Sequence, residues 1–371
     1  MIKIGLFTPN QNPYSETFVQ AHKLELKDKV FYYYGSGFRT QLEGHPPLAF
    51  NTRKNWLKLV AKFSNKPSSY VKEKIICDSL KKHKIDLVLA EYGIHSHTIL
   101  PIVKKAKVPM IVHFHGYDAS VPKAIEKCNN YKEVFEYATK VVVVSKVMQQ
   151  MLIDLGCPVD KLIYNPCGPR PEFEEVNPTF LKKQFIAIGR FVDKKAPYYT
   201  IMAFKKVVTK YPEALLKMAG DGPLLNACEN LVKHFNLEKN VQFLGVISSE
   251  EFKKQLTQSM AFVQHSVRAI NGDMEGTPVS IMEAGLAGIP IISTHHAGIP
   301  DVVLDKETGL LCPEHDVDGM AINMIQILDK PDVAKEMGAN NRARIKEHFS
   351  LEKHIRLLQD AINETVKTSV S

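Results

Sequence analysis

The stretch EGTPVSIMEAGLAGIPIISTHHAGIP, residues 275–300, contains the unit on which the chain is built: a polar loop, a helix of small and apolar residues, and a short apolar run. Pro278 suits the first turn of a helix and Thr277 suits its cap, so we predict a helix over residues 278–286. The apolar run over 289–292 then predicts a buried strand.

The same alternation of short apolar runs and helix-length spacers extends over most of the chain. The runs are continuously hydrophobic, which is typical of parallel strands covered by helices on both faces. The sequence therefore predicts an α/β protein with a doubly wound fold built twice. The predicted strands are 2–7, 30–34, 85–90, 110–114, 141–144 and 162–164 in the first half and 185–188, 215–218, 241–244, 261–263, 289–292 and 310–312 in the second.

A proline-rich segment, NPCGPRPEFEEVNPTF at residues 165–180, separates the two series of strands. Its four prolines exclude a regular helix or a central strand and are typical of a stiff linker. We therefore predict an N-terminal Rossmann-like domain over 1–168 and a C-terminal one over 169–345. We assign residues 346–371 to a C-terminal helix that packs back on the N-terminal domain, and we predict a break in the helical pattern near Phe349 and Ser350.

The composition indicates an ordinary folded protein. The 371 residues are 44 % hydrophobic, which is enough to bury the cores of two domains. The six cysteines are scattered, so neither a disulfide framework nor a zinc site is indicated. The N-terminus has no charged leader, and no apolar run approaches the ~18 residues of a membrane span. We therefore expect a cytoplasmic protein in a reducing compartment.

The net charge of +8 is concentrated in residues 51–84, which hold ten basic and two acidic side chains. This pattern is typical of a basic amphipathic helix that rests on an anionic membrane, and equally of a surface helix that packs its apolar stripe on the core. Both interpretations stay open. No nucleic-acid-binding signature accompanies the charge, so we expect no nucleic-acid partner. The apolar residues at helical spacing among the lysines are Trp56, Leu57, Leu59, Val60 and Phe63.

Glu275 and Glu283 are the candidate functional residues of the opening stretch. Eight residues of helix rise ~12 Å, which is too far for the paired carboxylates of a glycosidase at ~5 to 9.5 Å. Two separated carboxylates beside a helix N-terminus can instead bind two hydroxyl-bearing parts of one ligand, while the N–H groups of the first turn bind an anion. In the structural alternative, Glu275 satisfies the helix dipole and Glu283 lies on a solvated face.

Basic residues follow the first strand of the second half, in GRFVDKKAP at 189–197. Arg190 offers a planar fork to phosphate oxygens and Lys195 offers a second cation, at the sheet edge where open α/β proteins bind ligands. The alternative is that both are ordinary surface charges. AGDGPL, at 219–224, is by itself only a turn.

Together these segments resemble the GT-B glycosyltransferases of the large retaining GT4 family. The E-x7-E motif of that family is matched by Glu275 and Glu283, and the likeness extends through GRFVDKKAP, AGDGPL, HAGIPDVV and ETGLL. SETFV at 15–19, AEYGIHS at 90–96 and HFHGYDAS at 113–120 are similar to segments of members that build bacterial surface polysaccharides. The resemblance implies two Rossmann-like domains facing a central cleft, the N-terminal one on the acceptor side and the C-terminal one on the donor side.

The resemblance also implies roles at matched positions. Glu283 would hold the ribose hydroxyls of a nucleotide, and Glu275 would contact the donor sugar near its reacting face. Arg190 and Lys195 would bind the donor diphosphate. The backbone amides that would contact the sugar and the phosphates are those of Gly276, Thr277, Val279 and Ser280.

Two positions depart from the usual pattern of the family. Pro278 stands where glycine is commoner, and since proline has no N–H, the contact of that amide must be absent or replaced. Ala196 stands where a glycine usually follows the lysine, which is a milder change.

Residues of the first half complete the expected site. The resemblance implies that His115, in the turn after a strand, approaches the donor sugar or its phosphate, with Asp118 near the acceptor. His113 lies on the same face if the strand continues, and it stays an alternative. Glu16 and Thr17 either line the acceptor end or cap the helix after the first strand, and the cap is favoured.

The expected reaction is the transfer of a glycosyl group from a nucleoside diphosphate sugar to a hydroxyl of a saccharide or lipid-linked saccharide, with retention of configuration. His115, Glu275, Arg190 and Lys195 would carry the catalysis, the two cations by stabilising charge on the departing diphosphate. No metal or other cofactor is expected, because the chain's D-x-D, at 316–318, is better explained as a helix cap.

Two other classes of function stay open at this level. A sugar-nucleotide epimerase could use the same scaffold, and a non-catalytic, membrane-attached scaffold protein would account for the basic segment 51–84. For the transferase itself, that segment predicts peripheral contact with the inner face of the cell membrane.

Overall fold

The computed structural model describes residues 1–11, 16–36, 39–48, 50–67 and 69–370. Ser15, the first residue of the SETFV segment, and Ser68, within the basic segment, lie outside the described residues. The chain divides into two compact units. The first comprises Met1–Val143, Gln149–Asn165 and Ile355–Ser371, and the second comprises Val144–Met148 and Pro166–His354.

The first unit is built on a seven-stranded sheet. All neighbouring strands are parallel except β2 and β3, and all six strands predicted for the first half are present. The sequence missed β3 because two residues have no detectable period. The strands are β1 (Lys3–Thr8), β2 (Lys29–Tyr34), β3 (Gln41–Leu42), β4 (Leu87–Glu91), β5 (Met110–His113), β6 (Lys140–Val143) and β7 (Leu162–Tyr164), in the order β3-β2-β1-β4-β5-β6-β7.

Helices connect these strands, so the carboxyl ends of β1, β4 and β5 meet at one edge of the sheet. At that edge Glu91 and His113 are direct partners in the register of β4 and β5. The helices are α1 (Thr17–Glu25), α2 (Asn51–Phe63), α3 (Tyr70–His83), α4 (Gly93–Ala106), α5 (Tyr117–Ser120), α6 (Pro122–Lys127), α7 (Lys132–Tyr137) and α8 (Lys146–Asp154), the last of which begins in the second unit.

The second unit has a six-stranded parallel sheet that contains all six strands predicted for the second half. Its strands are β8 (Gln184–Ile188), β9 (Leu215–Ala219), β10 (Val241–Gly245), β11 (Ala261–Val263), β12 (Ile291–Thr294) and β13 (Gly309–Cys312), in the order β10-β9-β8-β11-β12-β13. The order reverses between the neighbours β8 and β11. Open α/β sheets bind ligands at such a switch point, beyond the carboxyl ends of the strands.

Seven helices belong to this unit: α9 (Pro197–Lys210), α10 (Leu225–His234), α11 (Ser249–Gln258), α12 (Val279–Leu286), α13 (Ile299–Val302), α14 (Val317–Asp329) and α15 (Pro331–His348). The last helix, α16 (Leu351–Val370), starts after the predicted break and continues into the first unit. There Gln359 accepts a hydrogen bond from the N–H of Lys27 at 3.2 Å and donates one to Asp28 at 2.7 Å.

The proline-rich segment is more than the stiff linker that its composition predicts. Its residues Pro171–Glu175 form a 3-10 helix, and Phe173 is fully buried in the core of the second unit. The ring of Phe173 packs edge-on against Phe252, with 5.2 Å between centroids. The prolines prevent regular structure here, but the two aromatic rings anchor the segment to its own unit.

Helix α12 starts one residue later than the sequence predicts. Pro278 occupies the cap position, and the hydroxyl of Thr277 donates to the carbonyl of Val144 and makes no capping bond. The expected Thr277 cap is therefore wrong, because a tertiary partner takes the hydroxyl. The cap predicted at the D-x-D is confirmed, since Asp316 accepts the N–H of Gly319 at 2.8 Å at the start of α14.

None of the helices α1–α16, as far as their residues are described, combines the length and the hydropathy that a bilayer span requires.

Candidate active site

The switch point of the second sheet brings together several residues that the sequence singles out. Gly189 and Arg190 directly follow β8, Gln264 directly follows β11, and these residues line one pocket with Lys195. Arg190 is exposed, so its planar guanidinium is accessible to phosphate oxygens.

Lys195 ends a 3-10 turn, Asp193–Lys195, and forms a buried ion pair with Glu275. Its Nζ lies 2.9 Å from Oε1 of Glu275 and donates to Oε1 of Gln264 at 3.2 Å. Gly189 makes room for the lysine stem, because a Cβ at that position would lie 2.7 Å from Cδ of Lys195.

The charge of Glu275 is stabilised by this pairing. Burial raises the pKa of Glu275, but Lys195 and then Lys194 outweigh burial and lower it to about 2. Glu275 is therefore a carboxylate at neutral pH, able to accept hydrogen bonds from sugar hydroxyls.

Lys194 fixes the loop that leads to Glu275. Its Nζ donates to Oδ1 of Asp273 at 3.0 Å and to the carbonyl of Met274 at 3.2 Å, and the side chain is almost fully buried. The two adjacent lysines thus differ in role: Lys194 holds the loop, whereas Lys195 faces the pocket.

His296 holds the backbone of Glu275 itself. The N–H of Glu275 donates to Nε2 of His296 at 3.1 Å, and Nδ1 of His296 lies 2.6 Å from Oε1 of Glu314. Since Nε2 accepts a hydrogen bond, we assign the ring proton to Nδ1, which donates to Glu314. Burial raises the pKa of Glu314, but the N–H of Arg268 and the His296 ring lower it by more, so Glu314 is ionised.

A close backbone contact completes the loop. The N–H of Gly298 donates to the carbonyl of Gly276 at 3.1 Å, and a Cβ at Gly298 would lie 2.2 Å from the same oxygen. Only glycine permits this approach, so Gly298 helps to determine where the Glu275 loop lies.

The N-terminus of α12 directly follows this loop. The carbonyl of Pro278 accepts the N–H groups of Ile281 at 3.1 Å and of Met282 at 3.4 Å. The N–H groups of Val279 and Ser280 have no carbonyl partner within the helix, and such groups attract anions. Pro278 precedes the helix, so its missing N–H removes no donor from the first turn.

Glu283 lies inside α12 and pairs with Arg170. Nε of Arg170 donates to Oε1 of Glu283 at 2.7 Å, and Nη1 of Arg170 contacts Oγ of Ser249. Glu283 is only 4 % exposed, so the alternative that placed it on a solvated face is wrong. Burial raises the pKa of Glu283, and Arg170 opposes this rise without cancelling it.

Three of the four side chains predicted to bind the donor therefore lie together. Arg190 and Lys195 line the same pocket, and Lys195 pairs with Glu275. The carboxylate of Glu283 forms its ion pair with Arg170 instead.

In the first unit, side chains at the carboxyl edge of the sheet surround the buried carboxylate of Glu91. Its Oε1 lies 2.7 Å from Nδ1 of His22, and its Oε2 lies 2.7 Å from Nε2 of His115 and 3.5 Å from Nδ1 of His113. Burial raises the pKa of Glu91, but the three histidines, with His22 first, outweigh burial and hold it well below its usual range.

The two histidines that the sequence leaves open differ in accessibility. His113 is fully buried, and burial together with the neighbouring His115 lowers the pKa of His113 to about 3. The side chain of His115 is 8 % exposed. Of the two rings, only that of His115 reaches solvent.

Asp118 shapes the turn that carries His115. Its Oδ1 accepts the N–H groups of His115 and Gly116, both at 3.0 Å, and its Oδ2 accepts the N–H of Gly93 at 2.8 Å. The carboxylate is buried and engaged with three backbone donors, so the geometry supports a role in holding the turn.

Glu16 and Thr17 stand at the start of α1, where Glu16 is the cap residue. The side chain of Glu16 makes no capping hydrogen bond and accepts one from Nδ2 of Asn10 at 3.1 Å. The favoured cap interpretation is therefore wrong for Glu16.

Sequence reasoning missed several residues of this architecture, and some of them carry a detectable signal. Glu91, Gln264 and His296 each end or closely follow a buried parallel strand, and polar residues at that edge are candidates for any α/β protein. Neither Arg170, in the predicted linker, nor His22, within α1, lies at the end of a strand, so the sequence does not mark either residue in this way.

The sequence is similar to those of known glycosyltransferases. Residues 170–344 match the sequence model of the family described as Glycosyl transferases group 1. The chain is 26 % identical to the amylovoran biosynthesis glycosyltransferase AmsK of Erwinia amylovora over 299 residues, which cover 78 % of this chain and 73 % of AmsK. It is 27 % identical to WcaL of Salmonella typhimurium over 249 residues. WcaL is provisionally named a colanic acid biosynthesis glycosyltransferase. That match covers 65 % of this chain and only 61 % of WcaL.

Solved structures show the same fold at lower identity. HepE of Anabaena, solved in complex with UDP-glucose, superposes with a TM-score of 0.78 at 14 % identity, covering 98 % of this chain and 100 % of HepE. Sucrose-phosphate synthase of Thermosynechococcus elongatus superposes with a TM-score of 0.77 at 18 % identity, covering 99 % of this chain and 100 % of the synthase.

Proposed function

We propose that this chain is a retaining GT-B glycosyltransferase of the GT4 family, the glycosyl transferases group 1, and that it transfers a sugar from a nucleoside diphosphate sugar to a saccharide or lipid-linked saccharide. The observation that most supports this proposal is the buried pair of Lys195 and Glu275 beside the N-terminus of α12. The cation and the helix N–H groups there suit the phosphate of a ligand, and the carboxylate suits a sugar hydroxyl of the same ligand.

In this proposal the second unit binds the donor at several points. Arg190 and Lys195 bind the diphosphate, and Glu275 accepts hydrogen bonds from the donor sugar. Glu283 binds the ribose hydroxyls, for which its second carboxylate oxygen serves while Arg170 holds the first. The amides of Gly276, Thr277, Val279 and Ser280 contact the sugar and the phosphates. HepE, which shares the fold, was solved with UDP-glucose, so UDP sugars are the first donors to test.

Catalysis in this proposal is mainly electrostatic. As the bond from the anomeric carbon to the phosphate oxygen breaks, negative charge grows on the diphosphate and is stabilised by Arg190, Lys195 and the helix N-terminus. A preorganised donor of this kind contributes on the order of 3 kcal/mol. The departing phosphate oxygen takes the proton of the acceptor hydroxyl on the same face, which accounts for retention. No step uses a divalent cation.

The first unit supplies the acceptor half of the reaction in this proposal. His115 takes part in transfer through its accessible ring, and Asp118 holds the turn that carries it. Glu16 and Thr17 contribute to the acceptor end. AmsK is named for amylovoran biosynthesis and WcaL provisionally for colanic acid biosynthesis, which supports a role in bacterial surface polysaccharide synthesis.

A donor-binding experiment tests the core of the proposal. We expect calorimetry to detect binding of UDP, GDP or ADP to the full chain, and Glu283→Ala to weaken it at least tenfold, or about 1.4 kcal/mol. Glu250→Ala, at an exposed position of α11, is the matched control. If no nucleotide binds, or if both variants bind like the wild type, the donor assignment is wrong.

A product experiment tests the reaction class. We expect incubation with the bound nucleotide's sugars and saccharide acceptors to yield a product whose anomeric configuration equals that of the donor. Transfer that persists in EDTA agrees with the metal-independent mechanism. Conversion of the donor sugar to its epimer without transfer would favour the epimerase alternative.

The basic segment, residues 51–84, carries a surface that suits contact with a membrane. In α2, Leu57 and Ala61 pack on Val71 and Ile75 of α3, so part of the apolar stripe is buried. A second stripe stays exposed among exposed lysines, so the packing of α2 on α3 covers only part of the apolar side chains. Its members are Trp56, Leu59 and Phe63, which are 62 %, 54 % and 82 % exposed. We propose that this face rests on the anionic cytoplasmic surface of the cell membrane.

Vesicle sedimentation tests this contact. We expect the full chain to sediment with phosphatidylglycerol-containing vesicles and not with phosphatidylcholine vesicles. Trp56→Glu should abolish sedimentation, whereas Asn55→Glu, which adds the same charge at an exposed position of α2, should retain most of it. Equal sedimentation of Trp56→Glu and the wild type would overturn the proposal.

A further inference from the structure

The cluster around Glu91 has no role in the donor chemistry described above. Glu91, His22 and His113 are fully buried at the carboxyl edge of the first sheet, and their potential ligand atoms lie within 4.8 Å of one another. Burying a carboxylate costs several kcal/mol unless hydrogen-bond donors compensate it, as two histidines do here at 2.7 Å. The cluster lies at the carboxyl edge of the first sheet, next to His115.

The tautomer of His115 follows from the state of Glu91. An ionised carboxylate only accepts hydrogen bonds, so each ring nitrogen that bonds to it must carry a proton. Nε2 of His115 lies 2.7 Å from Oε2 of Glu91, which makes Nε2 the protonated atom. In the neutral ring, Nδ1 then holds the lone pair, and no described residue donates a hydrogen bond to it.

The orientation of the His115 ring is restrained as well. The ring stacks on Phe18, with 4.2 Å between centroids and 27° between planes, and it contacts Tyr92 at 4.7 Å. Its backbone N–H donates to Asp118 at 3.0 Å. Stacking and the backbone bond fix the plane of the ring, but neither determines which ring nitrogen is protonated. Only the bond to Glu91 does so.

We infer that Glu91 is a positioning residue for His115: it holds the ring in the Nε2–H tautomer, so that the Nδ1 lone pair accepts a hydrogen bond from a substrate hydroxyl. His22 is the second donor to the same carboxylate and keeps its other oxygen occupied. This inference rests on the proposed function in one respect, namely that His115 acts during transfer.

Nuclear magnetic resonance tests the tautomer without any assay of activity. In long-range ¹H–¹⁵N spectra of the full chain labelled at histidine, with His115 assigned from the spectrum of His115→Gln, we expect a protonated Nε2 and a lone pair on Nδ1 at neutral pH. The opposite tautomer would overturn the inference. One equivalent of a bound metal in the purified chain would also overturn it, because Glu91 and the histidines would then be ligands.

Glu91→Gln tests the consequence for catalysis. An amide can accept a hydrogen bond from only one of the two histidines through its oxygen, so the His115 tautomer is no longer imposed. We expect kcat to fall about tenfold or more with little change in donor KM, as when the orienting carboxylate of a catalytic histidine is lost. Glu133→Gln, at an exposed position of α7, should leave kcat unchanged.

The outcomes separate this inference from the proposed function. If the spectra show the expected tautomer but Glu91→Gln transfers sugar like the wild type, the positioning role is wrong and the transferase proposal stands. If no transfer is found with any donor, the proposed function fails, and the wild-type spectra still decide the tautomer. If Glu91→Gln does not fold, His22→Gln provides a second variant, in which we expect the His115 tautomer to be retained.

Discussion

Nζ of Lys195 lies 2.9 Å from Oε1 of Glu275, and both side chains are largely withdrawn from solvent. In the proposed function Lys195 binds phosphate and Glu275 binds a sugar hydroxyl, and here the two side chains pair with each other. On that proposal a diphosphate would compete with Glu275 for the ammonium group of Lys195. Donor affinity would then include the cost of weakening this pair.

Opposite effects on nucleotide binding follow for the two partners. Lys195→Ala should weaken UDP binding about tenfold or more, because a charge-assisted hydrogen bond contributes ~1.5 to 3 kcal/mol. Glu275→Gln should bind UDP as well as or better than the wild type, since Lys195 is released, while transfer falls about a hundredfold or more. Calorimetry and product analysis measure the two effects.

Lys206→Ala is the control for these variants, because Lys206 forms an exposed ion pair with Asp318, and neither residue lines the pocket that contains Arg190 and Lys195. It should alter neither binding nor transfer. Weaker UDP binding by Glu275→Gln would show that Glu275 assists phosphate binding and does not oppose it.

Gly298→Ala should disturb the Glu275 loop. The new Cβ would lie 2.2 Å from the carbonyl oxygen of Gly276 and 2.7 Å from Oγ1 of Thr277, so the backbone must move. We expect UDP affinity to fall about tenfold and the second unit to lose ~1 to 3 kcal/mol of stability. Calorimetry and urea unfolding measure the two effects.

Gly156→Ala is the matched control for that substitution. A Cβ at Gly156 meets nothing within 4 Å, but the residue has a φ of +93°, which an alanine adopts only under strain. It should cost about 1 kcal/mol of stability and leave UDP affinity unchanged. If both glycine variants lowered affinity alike, the effect would be general destabilisation.

Arg170→Met should destabilise the second unit. The methionine keeps the packing of the arginine stem beside Phe173 but leaves the buried carboxylate of Glu283 without its 2.7 Å partner. Because Arg170 is about one third exposed, we expect a loss of ~2 kcal/mol, below the ~3 to 5 kcal/mol of a fully buried pair.

The double variant Arg170→Met, Glu283→Gln should lose less than the sum of the two single variants, since no charge is then left unpaired. Glu172→Gln, which removes the longer and more exposed 3.7 Å contact of Arg170, should cost less than about 1 kcal/mol. Additive losses in the double variant would contradict the pairing.

The stability of the second unit should fall as the pH drops below about 6.5. Burial, with a contribution from His315, lowers the pKa of His265 from 6.5 to about 4. Between these values the unfolded chain takes up a proton that the folded chain does not, so stability present above pH 6.5 is lost as the pH falls toward 4. The slope is about 1.4 kcal/mol per pH unit for this one group.

Urea unfolding of His265→Gln at several pH values measures this contribution. The variant should be less stable than the wild type at pH 7.5, and the difference should shrink as the pH is lowered. His348→Gln, at an exposed position of α15, should keep the wild-type slope. A constant difference between His265→Gln and the wild type would show that His265 does not contribute to the pH dependence.

Local pattern in the sequence was enough to predict twelve strands of the two sheets and the loop that carries Glu275. The twelve predicted strands are all present because each is a short, continuously apolar run, and a fully buried parallel strand requires that pattern. Glu275 and the start of α12 were placed together because they are contiguous in the chain. The Asp316 cap was equally local, since donor and acceptor are three residues apart.

The partners of the charged side chains depend on the fold of the whole unit. Glu283 pairs with Arg170, 113 residues away in a segment with the composition of a linker. Glu91 pairs with His22, 69 residues away, because β1 and β4 are neighbours in the sheet. Local pattern specifies which residues are buried, but strand order and register specify which buried residues meet. For that reason the roles of Arg170 and Glu91 follow from the fold and not from their surroundings in the sequence.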